Sequence, residues 1–279
     1  MSWQSGATAT RRRPKPKNPQ QLRNKTLEPT TDNLLRVAKE AAYLCGKRTL
    51  AYFNTGVTPE FKGDNTPVTI ADKEGERVLR ECILSHFPDH AILGEEEGAT
   101  GGGAFRWVCD PIDGTKSFVA GVPLYGTLIG VEREGEIVAG VIYLPALDEM
   151  VAAGKGLGCT VNGRACRVSD KPLDKSVLVT SSIIRAQKRS GAYNELADKT
   201  YLQRTWGDAF GYARVAMGQL DIMLDPVKSP WDVGPMPIIF AEAGGKCSTW
   251  KGENDIYGPD FFATSAALYP EVLEILSQG

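Results

Sequence analysis

From Asp32, the stretch DNLLRVAKEAAYLCGKRTLAYF spaces Leu34, Leu35, Ala38, Ala41, Ala42 and Cys45 by three and four residues. That is the period of one helix face, so a first helix is expected, with Asp32 as its N-cap and Asn54 to Gly56 ending it. A second helix begins near Thr69–Asp72, buries Val78, Leu79, Cys82 and Ile83, and stops before Pro88. The short apolar runs AILGE and FRWVCD read as strands. LYGTLIGVERE-GE-IVAGVIYLPAL reads as a β-hairpin turning at Glu134–Gly135, and EMVAAGKGLGCTVNG extends the same sheet.

After Ser169 the pattern changes. A strand over 175–181 is followed by a polar helix over 185–199, a short strand near 203–206 and a helix over 209–217. The strand DIMLD, a helix after Trp231–Asp232, the strands GKCSTW and DFFATS, and a helix through 271–276 complete the chain. Helices and strands interleave, yet the central hairpin demands antiparallel pairing. The expected class is therefore α/β in an α+β layered sense, with mixed sheets, and not a doubly wound parallel sheet. A seam near 168–175 divides an N-terminal α+β domain, 28–170, from a C-terminal α/β domain, 171–279.

Charge alters the picture at one end. Residues 1–27 hold seven bases and no acid, which leaves 25 bases against 34 acids in the remainder. The near-neutral total of −2 thus conceals a +7 segment joined to a −9 body. Rich in Pro, Gln, Ser and Thr and without apolar period, 1–27 is expected to be a disordered basic tail. It has no apolar core of a secretory signal, and its prolines oppose the amphipathic helix of an organelle transit peptide, although organelle targeting stays open. No run reaches the roughly 20 apolar residues of a membrane span, so a cytoplasmic protein is expected. Six scattered cysteines without a C-x-x-C pair argue for free thiols. The triplet Gly154, Gly156, Gly158 imitates a dinucleotide fingerprint but has no helix after it, and turn glycines are the better reading.

Only two histidines occur, His86 and His90, both expected at the surface. Imidazole-based hydrolysis and His-ligated zinc sites are thereby disfavoured, and carboxylates remain for acid–base and metal work. Asp110-Pro111-Ile112-Asp113-Gly114-Thr115 follows the buried run FRWVC. Two carboxylates around a proline turn, with the Ile112 carbonyl between them, are hard oxygen donors suited to Mg2+. The N–H groups after Gly114 would open a helix and offer a seat for phosphate oxygens. Glu95 stands at another strand end, Asp232 opens a helix after Ser229–Pro230, and Asp72 lies in a first helical turn. Taken singly, each of these is equally a cap or a solvated acid.

Taken in order, they resemble the inositol-monophosphatase-like family of Mg2+-dependent, lithium-sensitive phosphatases. The resemblance spans 32–279 and rests on Lys62…Thr69…Asp72, Gly94-Glu95-Glu96, DPIDGT at 110–115, Trp231-Asp232, and Glu242-Ala243-Gly244-Gly245. It implies an αβαβα sandwich of alternating helix and sheet layers. By the same resemblance, Glu95, Asp110 and the Ile112 carbonyl would hold one Mg2+; Asp110, Asp113 and Asp232 a second; and a third, weaker ion would sit near Glu95. Thr115 and Asp72 would orient and deprotonate an attacking water, with Glu95 counted among the catalytic groups. The family is commonly homodimeric.

Within the family, DGTKSF at 113–118 and GDAFGY at 207–212 resemble the histidinol-phosphate phosphatase branch. Gly114, Thr115, Asp208 and Asp225 are then the candidate substrate contacts. Two carboxylates beyond the metal ligands suit a substrate carrying an amine and an imidazole. Asp208 discriminates more than Asp225, since inositol-specific relatives also carry an acid at the latter position. The other readings are an inositol monophosphatase, a broad-specificity sugar phosphatase, or a non-catalytic nucleic-acid binder acting through the tail. Pro235, after Trp231-Asp232, departs from the usual Ala-rich helix and is expected to alter the pocket locally.

Overall fold

The computed structural model describes residues 27–63 and 66–278. The basic tail therefore lies, apart from Leu27, outside the described residues. Helix α1 (Thr31–Leu50) is followed by a small ribbon, β1 (Glu60–Phe61) with β2 (Pro67–Val68), and then by α2 (Ile70–His86). The strands β3 (Ala91–Gly94), β4 (Gly98–Thr100), β5 (Phe105–Asp113), β6 (Gly126–Arg133), β7 (Glu136–Leu144), β8 (Glu149–Gly154), β9 (Gly158–Val161) and β10 (Arg164–Ala165) build one sheet. Its order is β10-β9-β8-β7-β6-β5-β3-β4, and only β3 with β5 is parallel. The five-residue helix α3 (Thr115–Val119) lies between β5 and β6.

The second half supplies β11 (Val177–Thr180), α4 (Ile183–Arg189), α5 (Ala192–Lys199), β12 (Leu202–Arg204), α6 (Asp208–Ala216) and β13 (Ile222–Asp225). After these come α7 (Pro230–Val233), α8 (Met236–Ala243), β14 (Gly245–Ser248), β15 (Phe261–Ser265) and α9 (Tyr269–Ser277). The five strands order as β12-β11-β13-β15-β14, with β11 parallel to both neighbours and β15 antiparallel to both of its own.

The layers follow from which faces are apolar. Val37, Ala41 and Cys45 of α1 and Leu79 and Ile83 of α2 bury against Trp107, Ile129 and Val141 of the large sheet. The opposite face of that sheet, through Leu128, Ile142 and Val151, meets Tyr212, Ile239 and Phe240 of α6 and α8, which also cover Met223 and Phe261 of the small sheet. On its far side, Leu178, Leu224 and Phe262 pack against Ala186, Leu196, Val272 and Ile275. The result is αβαβα. In β7, Val141 and Tyr143 serve one core while Ile142 and Leu144 serve the other, which explains a continuous apolar run where a half-exposed strand would alternate.

The middle helices touch the large sheet through bare backbone. Gly130 of β6 and Gly140 of β7 are cross-strand partners. A Cβ on Gly130 would overlap the Gly234 carbonyl, and one on Gly140 would lie 2.8 Å from the Pro235 carbonyl. The turn between α7 and α8 therefore sits directly on two glycines.

Several expectations need adjusting. Thr30 and not Asp32 caps α1, its hydroxyl accepting from the Asn33 N–H at 3.3 Å; Asp32 lies in the first turn. The polar helix expected over 185–199 is two helices broken at Ser190–Gly191. The helix after Trp231 breaks at Gly234–Pro235, because Pro235 has no N–H and its ring crowds the carbonyl four residues back. His90 is no free surface residue: it stacks between Phe87 and Phe105, at 4.6 Å from each, and accepts from Trp107 Nε1 at 3.0 Å. Gly156 and Gly158 form the β8–β9 turn, their N–H groups donating to the Glu242 carboxylate. Among the described residues no helix is long and apolar enough to cross a membrane.

Candidate active site

A bulge in β5 makes the site. Asp110 pairs with Leu128 and Asp113 with Gly126, so three steps on one strand oppose two on the other. The extra residue bends the strand and turns both carboxylates to the same side. The bend is pinned: Asp110 Oδ1 accepts from the Ile112 N–H at 2.9 Å, and Thr127 Oγ1 donates to the Pro111 carbonyl at 2.9 Å. Gly114 then adopts a φ of 86°, and Thr115 begins α3.

The neighbouring elements deliver the other acids. Asp72 closes a capping box at the start of α2, accepting at Oδ2 from the Thr69 N–H at 2.7 Å and the Thr69 hydroxyl at 2.6 Å. Its Oδ1 lies 3.3 Å from Thr115 Oγ1, which also reaches the Ile112 carbonyl at 3.0 Å. Asp232, in the first turn of α7, accepts from the Ser229 N–H at 2.7 Å. Glu95 follows β3, and Lys62 bridges it at 2.8 Å and Glu96 at 2.9 Å. Burial acts to lower the Lys62 pKa, but its two carboxylate partners outweigh it and hold it above the ordinary value.

Asp110, Asp113 and Asp232 each offer a carboxylate oxygen, all three lying within 4.8 Å of one another. At that separation each pair of charges repels by about 3 kcal/mol at an effective dielectric near 20. Burial first, then Glu95, Asp113 and Asp232, push the Asp110 pKa well up. Asp113 is raised by burial, then by Asp208 and Asp232, and the Ala209 N–H at the head of α6 bonds to it and opposes the rise. Asp232 is pushed to about 8, chiefly by burial. Asp113 Oδ2 is buried and has no hydrogen-bond partner. A buried, unpartnered oxygen among mutually repelling carboxylates is costly unless a cation meets it. The donors are all hard oxygens, so the residues fit a divalent cation of the Mg2+ or Mn2+ kind.

These groups share one cleft of about 510 Å3, lined by Glu95, Asp110, Ile112, Asp113, Gly114, Thr115, Asp208, Asp225 and Asp232, with Lys62, Lys116 and Arg185 as the cations on its wall. The far wall comes from the second half of the chain. Asp208 opens α6 with a φ of 55° and makes no cap; Asp113 accepts from the N–H of the next residue, Ala209. Asp225 ends β13, is 5% exposed, and is raised to about 7 by burial and by the charge of Asp208. Burial raises Asp208 in turn, and Lys116 opposes that rise. Every candidate residue from the sequence therefore borders this cleft except Asp72, which reaches it through Thr115.

One residue escaped the sequence reading. Glu76 is fully buried on α2, one turn beyond Asp72. Its carboxylate accepts from the Glu96 N–H at 2.6 Å, the Glu97 N–H at 3.0 Å and Arg80 Nε at 2.9 Å. It thus holds the turn that carries Glu95, and Gly94 is bare because a Cβ there would overlap this carboxylate. The available signal was a charged pair, Glu76 and Arg80, on the helix face that also carries Leu79 and Ile83.

The inositol monophosphatase family profile matches residues 30–278. A histidinol-phosphatase of Chlorobaculum parvum is 39% identical over 252 residues, 88% of this chain and 97% of its own. A fructose-1,6-bisphosphatase/inositol-1-monophosphatase of Aquifex aeolicus is 35% identical, over 77% of this chain and 84% of its own. The crystal structure of the extragenic suppressor protein suhB from Bartonella henselae superposes with a TM-score of 0.82 at 26% identity, covering 88% of this chain and 99% of that one. The chain belongs to the inositol monophosphatase family, and it is a phosphatase acting on a small molecule.

Proposed function

We propose that the protein is a Mg2+-dependent phosphomonoesterase that hydrolyses L-histidinol phosphate to L-histidinol and phosphate. The observation that carries the substrate is the Asp208–Asp225 pair, two carboxylates facing the cleft beyond the Asp110–Asp113–Asp232 cluster. An ammonium or imidazolium placed between them would favour the charged forms of two carboxyls that burial raises, Asp225 being raised further by the charge of Asp208. The 39% identity to a histidinol-phosphatase supports the same reading.

Glu95, Asp110, Asp113, Asp232 and the Ile112 carbonyl would hold two to three Mg2+ ions, with Li+ as an inhibitor. Bound there, Mg2+ supplies charge neutralisation at the phosphoryl oxygens, a lowered pKa for water and stabilisation of the departing alkoxide. The chain's own groups do the rest. The Thr115 hydroxyl has one proton and two acceptors within reach; once the Ile112 carbonyl is engaged elsewhere, that proton turns to Asp72. Asp72, held by Thr69 and raised by burial, is then placed to accept a proton through Thr115 from a water attacking phosphorus in line. Gly114 and Thr115 border the phosphate position, and no histidine takes part. A cytoplasmic homodimer completes the proposal.

A substrate panel tests it. With Mg2+, kcat/KM for L-histidinol phosphate should exceed that for inositol 1-phosphate and fructose 1,6-bisphosphate by at least tenfold; the reverse order would sink the histidinol assignment. A second reading, a sugar phosphatase tolerant of a second anion, draws on Lys116 and Arg185 at the cleft wall. It predicts the bisphosphate as the best substrate in the same panel.

A further inference from the structure

On the outer face of the molecule, α1 and α2 bring together donors that the phosphatase site does not use. Cys82 and His86 are four residues apart on α2, one turn, and therefore on one side of it. Glu40 of α1 faces them across the helix pair: His86 Nε2 lies 3.4 Å from Glu40 Oε2. The Cys82 thiol, an imidazole nitrogen of His86 and a carboxylate oxygen of Glu40 all lie within 4.8 Å of one another. We propose that Glu40, Cys82 and His86 form a second metal site, selective for a thiophilic divalent ion of the zinc class and distinct from the oxygen-only cluster.

The donor chemistry sets the selectivity. Thiolate, imidazole and carboxylate are the three ligand types that zinc takes in tetrahedral sites, whereas Mg2+ and Ca2+ avoid sulfur. Three protein donors leave a fourth position to water. Access is provided for: Cys82 is 9% exposed, the His86 side chain 27% and that of Glu40 44%. Local competition is weak, since Arg36 meets Glu40 only as an exposed i,i+4 pair at 3.5 Å. The site is also separate from catalysis, because Cys82 lies ten residues, about 15 Å of helix, from Asp72. An ion here would clamp α1 to α2 at the rim of the core that Cys82 shares with the large sheet, close to where Leu27 enters by donating to the His86 carbonyl.

Sulfur ligation makes the test specific, because the Asp/Glu cluster contains none. The full-length protein, reduced and stripped of metal, is titrated with Co2+ in the presence of excess Mg2+ and read by absorption. A near-ultraviolet thiolate-to-cobalt charge-transfer band with tetrahedral visible bands, saturating at one ion per chain and displaced by Zn2+, is the expected result. The band should be lost in Cys82→Ser and weakened at least tenfold in affinity in His86→Gln and Glu40→Gln, each keeping normal Mg2+-dependent phosphate release as proof of folding. Absence of the band in the wild type, or its survival in Cys82→Ser, would overturn the site. So would Zn2+ raising the melting temperature of Cys82→Ser as much as that of the wild type. None of these readouts depends on which phosphate ester is hydrolysed.

Discussion

The two walls of the cleft are acidic by different means. On the wall built from α2, β3 and β5, fixed partners hold the acids: Thr69, three residues away, for Asp72, the Ile112 N–H, two residues away, for Asp110, and Glu76, from across the fold, for the turn bearing Glu95. On the opposite wall, Asp208 and Asp225 meet only through the packing of α6 against β13, and each lacks such a turn. The first wall is held by its own partners; on the proposed reading, the second gains from the cation that the substrate brings. Chemistry should therefore fail when the first is changed, and selectivity when the second is.

The sharpest way to break this contrast is Asp110→Asn. It should lower kcat by three orders of magnitude or more while circular dichroism and melting stay native, since it relieves repulsion in the metal-free fold. Turnover near the wild-type level would remove Asp110 from the metal set. Thr115→Ala should cost about 10²- to 10⁴-fold in kcat at saturating Mg2+, the range of a lost proton path. A change confined to the Mg2+ requirement would instead make Thr115 a bystander to the Ile112 carbonyl.

On the other wall, Asp208→Asn should raise KM for L-histidinol phosphate about 10- to 100-fold, the worth of one charged hydrogen bond, with little change for inositol 1-phosphate. Equal losses on both substrates would erase the difference between the walls. The smallest effect concerns pH. Asp232 is raised to about 8 and Asp225 to about 7, both above the ordinary carboxylate range near 4. The folded chain thus binds more protons than the unfolded one between about pH 4 and 8, so metal-free stability falls as pH rises through that window. Chelated protein should melt several degrees lower at pH 8 than at pH 5, and Mg2+ should close the gap. A melting temperature independent of pH would contradict the burial of these charges.

The same contrast explains what was legible in the sequence. DPIDGT and the Thr69–Asp72 box are short-range devices: a bulge, a cap and a proline turn written in neighbouring residues. The antiparallel hairpin of β6 and β7 was legible from its apolar runs, and the αβαβα layer order only from the family resemblance. Glu76 was not, because its partners, the Glu96 and Glu97 N–H groups, lie 20 and 21 residues away and reading them requires the packing of α2 on β3. Pro235 was legible as a local disturbance, but the seating of its turn on Gly130 and Gly140 shows only in the fold. His90 misled for a related reason, its ring being enclosed by Phe105 and Trp107 from a strand that joins it only in the fold.

The contact of the Gly234–Pro235 turn with Gly130 and Gly140 has a bearing on how this enzyme can vary. Over Gly130 backbone rests on backbone, while Gly140 takes the Pro235 carbonyl together with the Pro235 ring and an Ile238 methyl. The offset between Asp232 and the β5 carboxylates is therefore set by main-chain thickness, a quantity that substitutions elsewhere in the core do not change. The apolar layers are free to drift in volume and composition while the spacing of these carboxylates stays fixed, and any residue larger than glycine at 130 or 140 should shift that spacing directly.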